Sequence, residues 1–248
     1  MNQIVYGINP IQNIIDYAPQ RIKTVLVREG FKNTRVQNLI QLIQTHGISV
    51  QFVHQNTINK KIIGSVHQGI MAFIQPQKKL QEEDLFNIIS KCSNPFLLIL
   101  DGITDPHNLG ACIRSAYAAG VHAVLLPKHH SATLNPTVQK VSSGASNHIP
   151  LIYITNLART IRILKQKNIW IIGTTNKSNR TLYQSNMKRP ISLVVGAEHK
   201  GIRHLTHQNC DEIVCIPMYG YISSLNASVA TGICLYEAVR QRTLIKIE

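Results

Sequence analysis

The stretch FLLILDGITDPHNLGACIRSAYAAGVHAVLLP, residues 96–127, is the most informative part of this 248-residue chain. It begins and ends with short apolar runs, 96–100 and 123–127, in which polar and apolar residues do not alternate. Between these runs, residues 108–119 have the spacing of a helix. Uninterrupted apolar strands are typical of a parallel sheet covered on both faces, and parallel neighbours need a crossover that is usually a helix. The stretch therefore predicts a β-α-β unit.

The same alternation continues to the end of the chain. Further apolar runs occur at 149–154, 169–174, 191–195 and 212–217, and helical patterns occur at 135–143, 156–167, 200–208 and 225–242. This pattern predicts an α/β domain with a parallel sheet of about six strands. Ligands of such sheets bind outside the carboxyl ends of the strands, so the residues that follow each strand are the candidate site.

The first part of the chain predicts a second, smaller α/β domain. Asn9 and Pro10 have the pattern of a helix N-cap followed by a proline at the first helical position. The polar, proline-bearing segment QPQKKLQEED, residues 75–84, indicates a domain boundary. We therefore expect a small domain over 1–75, a linker over 76–92 and a larger domain over 93–248.

The charge of the chain favours a polyanionic partner. Lysine and arginine number 26 against 12 aspartates and glutamates, which gives a formal net charge of +14. Such a balance suits nucleic acid, because each neutralised phosphate releases counterions. A lysine-rich proteome would produce the same balance, so composition alone leaves both explanations open.

Several other classes of protein are not indicated. The chain shows no apolar stretch long enough to span a membrane and no signal-peptide pattern, and its five cysteines form no C-x-x-C pair. The spacing of His199, His204, His207 and Cys210 does not match the usual zinc motifs. We therefore expect a cytoplasmic protein without a metal site or a membrane segment.

Arg114 stands near the start of the predicted helix at 108–119, which is an unusual position for a cation. We predict Asn108 as the N-cap, with Gly110 one turn inside. Helical side chains lean toward the N-terminus, so Arg114 would extend over Gly110 to the carboxyl end of the preceding strand. There it would meet an anionic ligand, or it would form a structural salt bridge with Asp101 or Asp105. The spacing alone leaves both alternatives open.

Two further strand ends carry candidate residues. Gly196 ends a buried strand and permits close approach to a flat ligand, and Glu198 follows in a turn. After the last strand, a helix is expected to begin near residues 224–226, where Ser224 and Asn226 are ordinary N-terminal helix residues.

The helix that begins there has a predicted apolar stripe and a small-residue face. The stripe consists of Leu225, Val229, Ile233 and Tyr236. Small residues over 227–231 would let the helix pack close to another backbone.

Taken together, three motifs resemble those of the SpoU (TrmH) family of S-adenosylmethionine-dependent RNA 2′-O-ribose methyltransferases. They are N-x-G-x-x-x-R at 108–114, G-x-E-x-x-G at 196–201, and I-P-M followed by S-L-N-A-S at 216–228. The resemblance covers residues 95–248 closely. The N-terminal part, with YGINPI at 6–11 and HQGI at 67–70, is similar to the small ribosomal-protein-like, substrate-binding module of the rRNA branch.

The resemblance implies a fold and a cofactor site. The larger domain would have the SPOUT-type α/β-knot fold, with residues 193–228 inside a C-terminal trefoil knot. S-adenosylmethionine would bind in that knot, largely through backbone groups. The positions implied for it are Gly196, Ile216, Leu225 and Met218. The family is homodimeric through its C-terminal domain, so we expect the same here.

The resemblance also implies roles in the reaction. Within the family the arginine at the position of Arg114 is assigned to activation of the ribose hydroxyl. Because free arginine is too basic for an ordinary general base, we favour a cationic role on a phosphate or a developing alkoxide. Asn108 and Asn226 would orient the reacting groups, and Glu198 would fix a partner or assist proton removal. Ser224 would support its turn or touch RNA.

The function expected from the resemblance is 2′-O-methylation of a specific guanosine in the peptidyl-transferase region of 23S rRNA, in the large ribosomal subunit. Two alternatives are a tRNA ribose methyltransferase of the same family and a non-catalytic RNA-binding assembly factor. A nucleotide-dependent oxidoreductase lacks its glycine-rich fingerprint here. The chain departs from the family pattern at 199–200, where it has His-Lys, and at Tyr219 and Tyr221.

Overall fold

The structure, a computed structural model, describes residues 3–30, 33–62, 67–75, 80–197 and 200–243. The chain divides into two compact units, Met1–Lys78 and Lys79–Glu248. Each unit has its own buried apolar core, and each is described by itself below.

The first unit is a four-stranded sheet with helices on both faces. Its strands are β1 (Gln3–Tyr6), β2 (Ile22–Arg28), β3 (Ser49–Val53) and β4 (Ile70–Ile74), and its helices are α1 (Ile8–Tyr17), α2 (Thr34–Thr45) and α3 (Gln55–Lys61). The strand order is β1-β4-β2-β3, with β2 parallel to β3 and β4 antiparallel to its two neighbours. Ile11 of α1 and Leu39 of α2 pack with Val25 on one face. Ile58 of α3 packs with Leu26 on the other face, because neighbouring strand residues point to opposite sides.

Helix α1 begins two residues earlier than expected, so Asn9 is not its N-cap. The N-cap is Gly7, whose φ of 92° suits glycine. The side chain of Gln68 accepts a hydrogen bond from the Ile8 N–H at 3.0 Å. The capping group therefore comes from a distant segment, which a local sequence pattern does not reveal.

The second unit is a six-stranded sheet in which every strand pairing is parallel, as the apolar runs predict. The strands are β5 (Phe96–Asp101), β6 (Ala123–Pro127), β7 (Leu151–Ile154), β8 (Trp170–Thr174), β9 (Ile191–Gly196) and β10 (Glu212–Val214). The helices are α4 (Glu82–Ile89), α5 (Pro106–Ala118), α6 (Pro136–Val141), α7 (Ala145–His148), α8 (Leu157–Gln166), α9 (His204–Asn209) and α10 (Ala227–Arg242). The strand order is β10-β8-β9-β5-β6-β7.

Both faces of this sheet are covered. Every residue of β5, β6 and β9 is buried. On one face Leu98 packs in a cluster with Ile113 of α5 and Leu235 of α10, and on the other face Leu97 packs with Ile161 of α8. Burial on both sides explains why these strands show no polar alternation.

Helix α4 lies inside the segment 76–92 that was expected to be a linker. The carboxylate of Asp84 accepts a hydrogen bond from the Gln81 N–H at 2.9 Å, and three acidic residues occupy the first turn. Negative charge there favours helix formation, because it complements the helix dipole. Leu85 is fully buried in the core of the second unit. The acidic run that suggested a linker is thus the first turn of a packed helix.

Helix α5 differs from expectation at both Asn108 and Gly110. Its N-cap is Asp105, whose side chain accepts from the His107 N–H at 2.9 Å, and Asn108 lies inside the first turn. A Cβ atom on Gly110 would lie 2.8 Å from the Val141 Cβ and 3.1 Å from the Val138 carbonyl oxygen. The missing side chain of Gly110 therefore makes room for α6, not for Arg114.

Helix α10 begins at Ala227 and buries a different face from the predicted stripe. Its buried positions include Thr231, Cys234 and Ala238, whereas Val229 and Tyr236 are about half exposed. The Cys112 thiol of α5 contacts the Thr231 hydroxyl at 3.4 Å. Apolar residues lie on two faces of this helix, and the face with small residues packs against α5. The spacing of the apolar residues alone therefore predicted the wrong buried face.

Two helical glycines allow a direct test of the α5–α6 packing. We expect Gly110→Ala to lower the free energy of unfolding by about 1–3 kcal/mol, because its methyl group overlaps Val141. The matched control is Gly232→Ala in α10, where the nearest atom, the Ser115 Oγ, lies 4.0 Å away. Alanine there should be neutral or stabilising by up to about 1 kcal/mol. Denaturant unfolding of both variants checks this, and equal effects would contradict it.

Candidate cofactor and substrate site

The strand order of the second unit creates a crevice. The chain adds β6 and β7 on one side of β5, whereas β9, β8 and β10 lie on the other side. The direction of winding therefore reverses between β5 and β9. In open α/β sheets, ligands bind beyond the carboxyl ends of the strands at such a reversal.

A cavity opens at the carboxyl ends of β8 and β9, beside the segment that follows β10. The empty space that it encloses, together with the open solvent at its mouth, is about 950 Å³. The structure brings together in its wall the four residues expected to hold a cofactor, with Ser224 beside them. These four are Gly196, Ile216, Met218 and Leu225.

Gly196 admits another backbone, and that backbone belongs to the chain itself. A Cβ atom on Gly196 would lie 2.1 Å from the carbonyl carbon of Gly201. Ala197 and Gly201 also exchange two backbone hydrogen bonds, of 3.2 and 2.8 Å, and Gly201 has a φ of 63°. Both glycines are therefore needed to close this turn, and the turn forms one wall of the cavity.

The segment from Ile216 to Leu225 presents backbone donors. Within the described part of the chain, no backbone acceptor receives a hydrogen bond from the N–H groups of residues 216 and 218–225. Such groups require water or a ligand. The side chains of Ile216 and Leu225 add apolar surface beside them. This combination fits S-adenosylmethionine, which has a flat heterocycle that needs apolar contact and polar atoms that need donors.

One wall of the cavity was not predicted from the sequence. Residues 174–176, at the carboxyl end of β8, line it. The Thr174 hydroxyl donates to the Val194 carbonyl at 3.1 Å, and the Asn176 amide donates to the Ser223 carbonyl at 3.5 Å. These bonds join the end of β8 to β9 and to the segment before α10. The carboxyl end of the run 169–174 was the available signal.

Asp101, buried at the end of β5, pairs with Arg203. Its carboxylate accepts a hydrogen bond from the Arg203 Nε at 2.6 Å and forms an ion pair with Nη2 at 2.5 Å. It also accepts a hydrogen bond from the Arg203 backbone N–H at 3.0 Å. Asp105 caps α5 instead. The alternative in which Arg114 forms a salt bridge with one of these two carboxylates is therefore wrong.

Asn108 and Asn226 lie together where α5 and α10 begin. The Asn226 amide donates to the Asn108 side-chain oxygen at 2.9 Å. The Asn226 side-chain oxygen accepts from the backbone N–H and hydroxyl of Ser228 and caps α10. Since Leu225 and Ala227 both line the cavity, the asparagine pair adjoins it.

Arg114 is not among the residues that line the cavity. It is exposed on α5, and no carboxylate of the described residues lies within ion-pair distance of its guanidinium. Glu198 and His199 lie outside the described residues. The structure thus brings Asn108 and Asn226 together and places Arg114 on an open surface of the same helix as Asn108. The roles assigned to these residues stay a prediction.

Across the described residues, no three side chains of metal-ligating type come together. None of the helices in this part of the chain combines the length and the hydropathy that a membrane span needs. Burial, together with the neighbouring Asp211, raises the pKa of Cys210 to about 12, so this thiol stays protonated at neutral pH.

Two family models and several curated proteins match this chain. Residues 95–236 match the model of the SpoU rRNA methylase family, and residues 4–80 match the model for RNA 2′-O ribose methyltransferase substrate binding. The chain is 51% identical over 243 residues to the 23S rRNA (guanosine-2′-O-)-methyltransferase RlmB of Escherichia coli K12, covering 98% of this chain and all of that protein.

Two solved structures have a similar fold. The SpoU methyltransferase AviRb from Streptomyces viridochromogenes, solved with AdoMet, superimposes with a TM-score of 0.71 at 24% identity, over 97% of this chain and 90% of that one. The A. aeolicus TrmH/SpoU tRNA modifying enzyme matches with a TM-score of 0.56 at 28% identity, over 65% of this chain and 82% of that one.

The cap of α10 generates a prediction. Asn226→Ala removes the acceptor for the first turn and the bond to Asn108, and we expect a loss of about 1–2 kcal/mol in the free energy of unfolding. Asn226→Asp keeps the cap acceptor but not the amide donor, so it should lose less. Denaturant unfolding of the three proteins measures both effects. An alanine variant as stable as the wild type would show that the cap contributes nothing.

Proposed function

The chain belongs to the SpoU rRNA methylase family, and on that basis we propose that it transfers the methyl group of S-adenosylmethionine to the 2′-hydroxyl of a guanosine in 23S rRNA. The observation that carries this proposal is the meeting of three separate segments at one cavity. These segments follow β8, β9 and β10, and the chain that contains them is half identical to RlmB along almost its whole length. The expected nucleotide is a guanosine of the peptidyl-transferase region.

The cavity accounts for the binding of the cofactor. S-adenosylmethionine supplies an electrophilic methyl group on a sulfonium. Ile216 and Leu225 supply apolar contact, and the backbone N–H groups of the cavity-lining residues 216, 218 and 223–225 supply polar contact. Because Gly196 has no side chain, the backbone of Gly201 can pack directly against it in the wall of the cavity. Holding the donor and a ribose hydroxyl in fixed positions provides much of the rate enhancement in such a transfer.

The asparagine pair and Arg114 act on the RNA in this proposal. Asn226 is held by its own helix cap and by Asn108, so its position is fixed before the substrate arrives. Arg114 is exposed, and its charge is not neutralised by a described carboxylate. A guanidinium is too basic to remove a proton, but it stabilises a phosphate or a developing alkoxide. We assign the support of proton removal to Glu198.

The two units have different roles in this proposal. Residues 4–80 match a substrate-binding model, and we propose that the first unit binds the rRNA while the second unit performs the transfer. The tRNA modifying enzyme from A. aeolicus matches only 65% of this chain, a share that is smaller than that of the rRNA relative. This difference favours rRNA over tRNA as the substrate.

We further propose a homodimer that forms through the second unit. Val229 and Tyr236 of α10 and Tyr117 of α5 are each about half exposed, and adjacent helices with exposed apolar side chains are typical of an interface. We also expect the C-terminal trefoil knot over residues 193–228 and a cytoplasmic location, where rRNA is available.

Ribose-methylation mapping of total RNA tests the proposed reaction. Cells without this protein should lack one 2′-O-methyl group on a 23S guanosine, and expression of the wild-type chain should restore it. Loss of a tRNA methyl group instead would assign the chain to the tRNA enzymes. An unchanged pattern would indicate an RNA-binding protein without catalysis.

The role of Arg114 gives a second test. We expect Arg114→Ala to abolish restoration of the methyl group, with a fall of at least about 100-fold in kcat/KM, because charge stabilisation at the reacting oxygen is lost. The matched control is Arg162→Ala, which removes an exposed arginine from α8. Binding of S-adenosylmethionine, measured by calorimetry, should be unchanged in both. Wild-type turnover by Arg114→Ala would overturn the assigned role.

A further inference from the structure

An arch of exposed side chains stands at the edge of the cavity. It is formed by residues 219–222, and the residues that flank it on either side, Met218 and Ser223, line the cavity wall. Tyr219 is 98% exposed, Tyr221 is as exposed as in an extended peptide, and Ile222 is 62% exposed. Two wholly exposed aromatic rings are unusual, because aromatic side chains contribute most when they are buried or in contact.

The tyrosine rings have no partner in the described part of the chain. Neither ring stacks on another ring or on a cation among those residues, in contrast to Tyr117, which stacks on His148 with the ring centroids 5.7 Å apart. A Cβ atom on Gly220, between the two tyrosines, would meet nothing within 4 Å. The arch is therefore not packed against the unit that carries it.

Two exposed lysines belong to segments that line the same cavity or directly adjoin its lining. Lys200 is exposed in the cavity wall. Asn176 bonds to Ser223 at the end of the arch, and the exposed Lys177 follows it directly. Aromatic rings next to cations form the usual surface for unpaired nucleotides, on which bases stack and phosphates pair with lysines.

From these observations we propose that Tyr219 and Tyr221 stack on unpaired bases of the substrate RNA next to the nucleotide whose ribose enters the cavity. The inference rests on the proposed function, because it identifies how the RNA is held at the same site. The arch is joined to the cavity wall at both ends, so a base stacked on it places the adjoining ribose at the mouth of the cavity. These tyrosines are specificity-determining contacts and take no part in the chemistry.

The test compares alanine and phenylalanine at both positions. Tyr219→Ala and Tyr221→Ala should each raise the KM for an unmodified 23S rRNA transcript by about 5- to 150-fold, the range expected for one lost stacking contact. Tyr219→Phe and Tyr221→Phe keep the ring and should remain within about twofold of the wild type. Tyr183→Ala, which removes another exposed tyrosine, is the control and should have no effect.

Three further measurements separate this proposal from other roles of the arch. The dissociation constant for S-adenosylmethionine should be the same in all variants, and a parallel loss would mean that the arch closes the cofactor cavity instead. The molar mass in solution should not change, and a shift would assign the rings to contact with a second copy. An rRNA transcript that contains 5-iodouridine should photo-crosslink to the peptide that carries residues 219–221.

Failure of this proposal is distinguishable from failure of the proposed function. A wild-type chain that binds and crosslinks RNA through the arch but transfers no methyl group would overturn the function and leave the stacking intact. Alanine variants that bind and methylate RNA like the wild type would overturn the stacking and leave the function intact.

Discussion

The carboxylate of Asp101 is the constraint on which the second unit depends. It is buried at the end of the central strand β5, where an unpaired charge would cost several kcal/mol. Arg203 satisfies it with both its guanidinium and its backbone N–H. Because Arg203 stands just before α9, this pairing fixes the chain that returns from β9 beside the end of β5. The turn between Gly196 and Gly201 is then forced against β9, and the wall of the cavity follows from it.

The fold of both units could be predicted from the sequence to a large extent, and its details at the helix ends could not. The apolar runs predicted all six strands of the second sheet, because burial on both faces leaves a simple signature. The helix caps were harder to predict, since the capping side chain can come from a segment that is distant in the sequence. Gln68 supplies the acceptor for α1, and Asp105 displaces Asn108 as the cap of α5. In the same way, α6 occupies the space beside Gly110.

The candidate site shows the same division. The resemblance to the SpoU family implied Gly196, Ile216, Met218 and Leu225 as cofactor positions, and these residues line one cavity. Their assignment to the cofactor stays a prediction. The partner of Asp101 was not predicted, because Arg203 is distant in sequence and no spacing rule joins an aspartate to it. The stretch 174–176 was missed for another reason: threonine and asparagine after a strand are common in any turn.

The position of β9 in the middle of the sheet has a consequence during synthesis. Strand β5 is complete early, but its neighbour on one side, β9, ends only at Gly196. At the usual rate of translation, about 5–20 residues per second, β5 waits on the order of 5–20 seconds with that edge unpaired. An apolar strand with an open edge readily pairs with other chains. During this period the unpaired edge of β5 in the nascent polypeptide is a site that a chaperone can protect. The period ends when β9 pairs with β5.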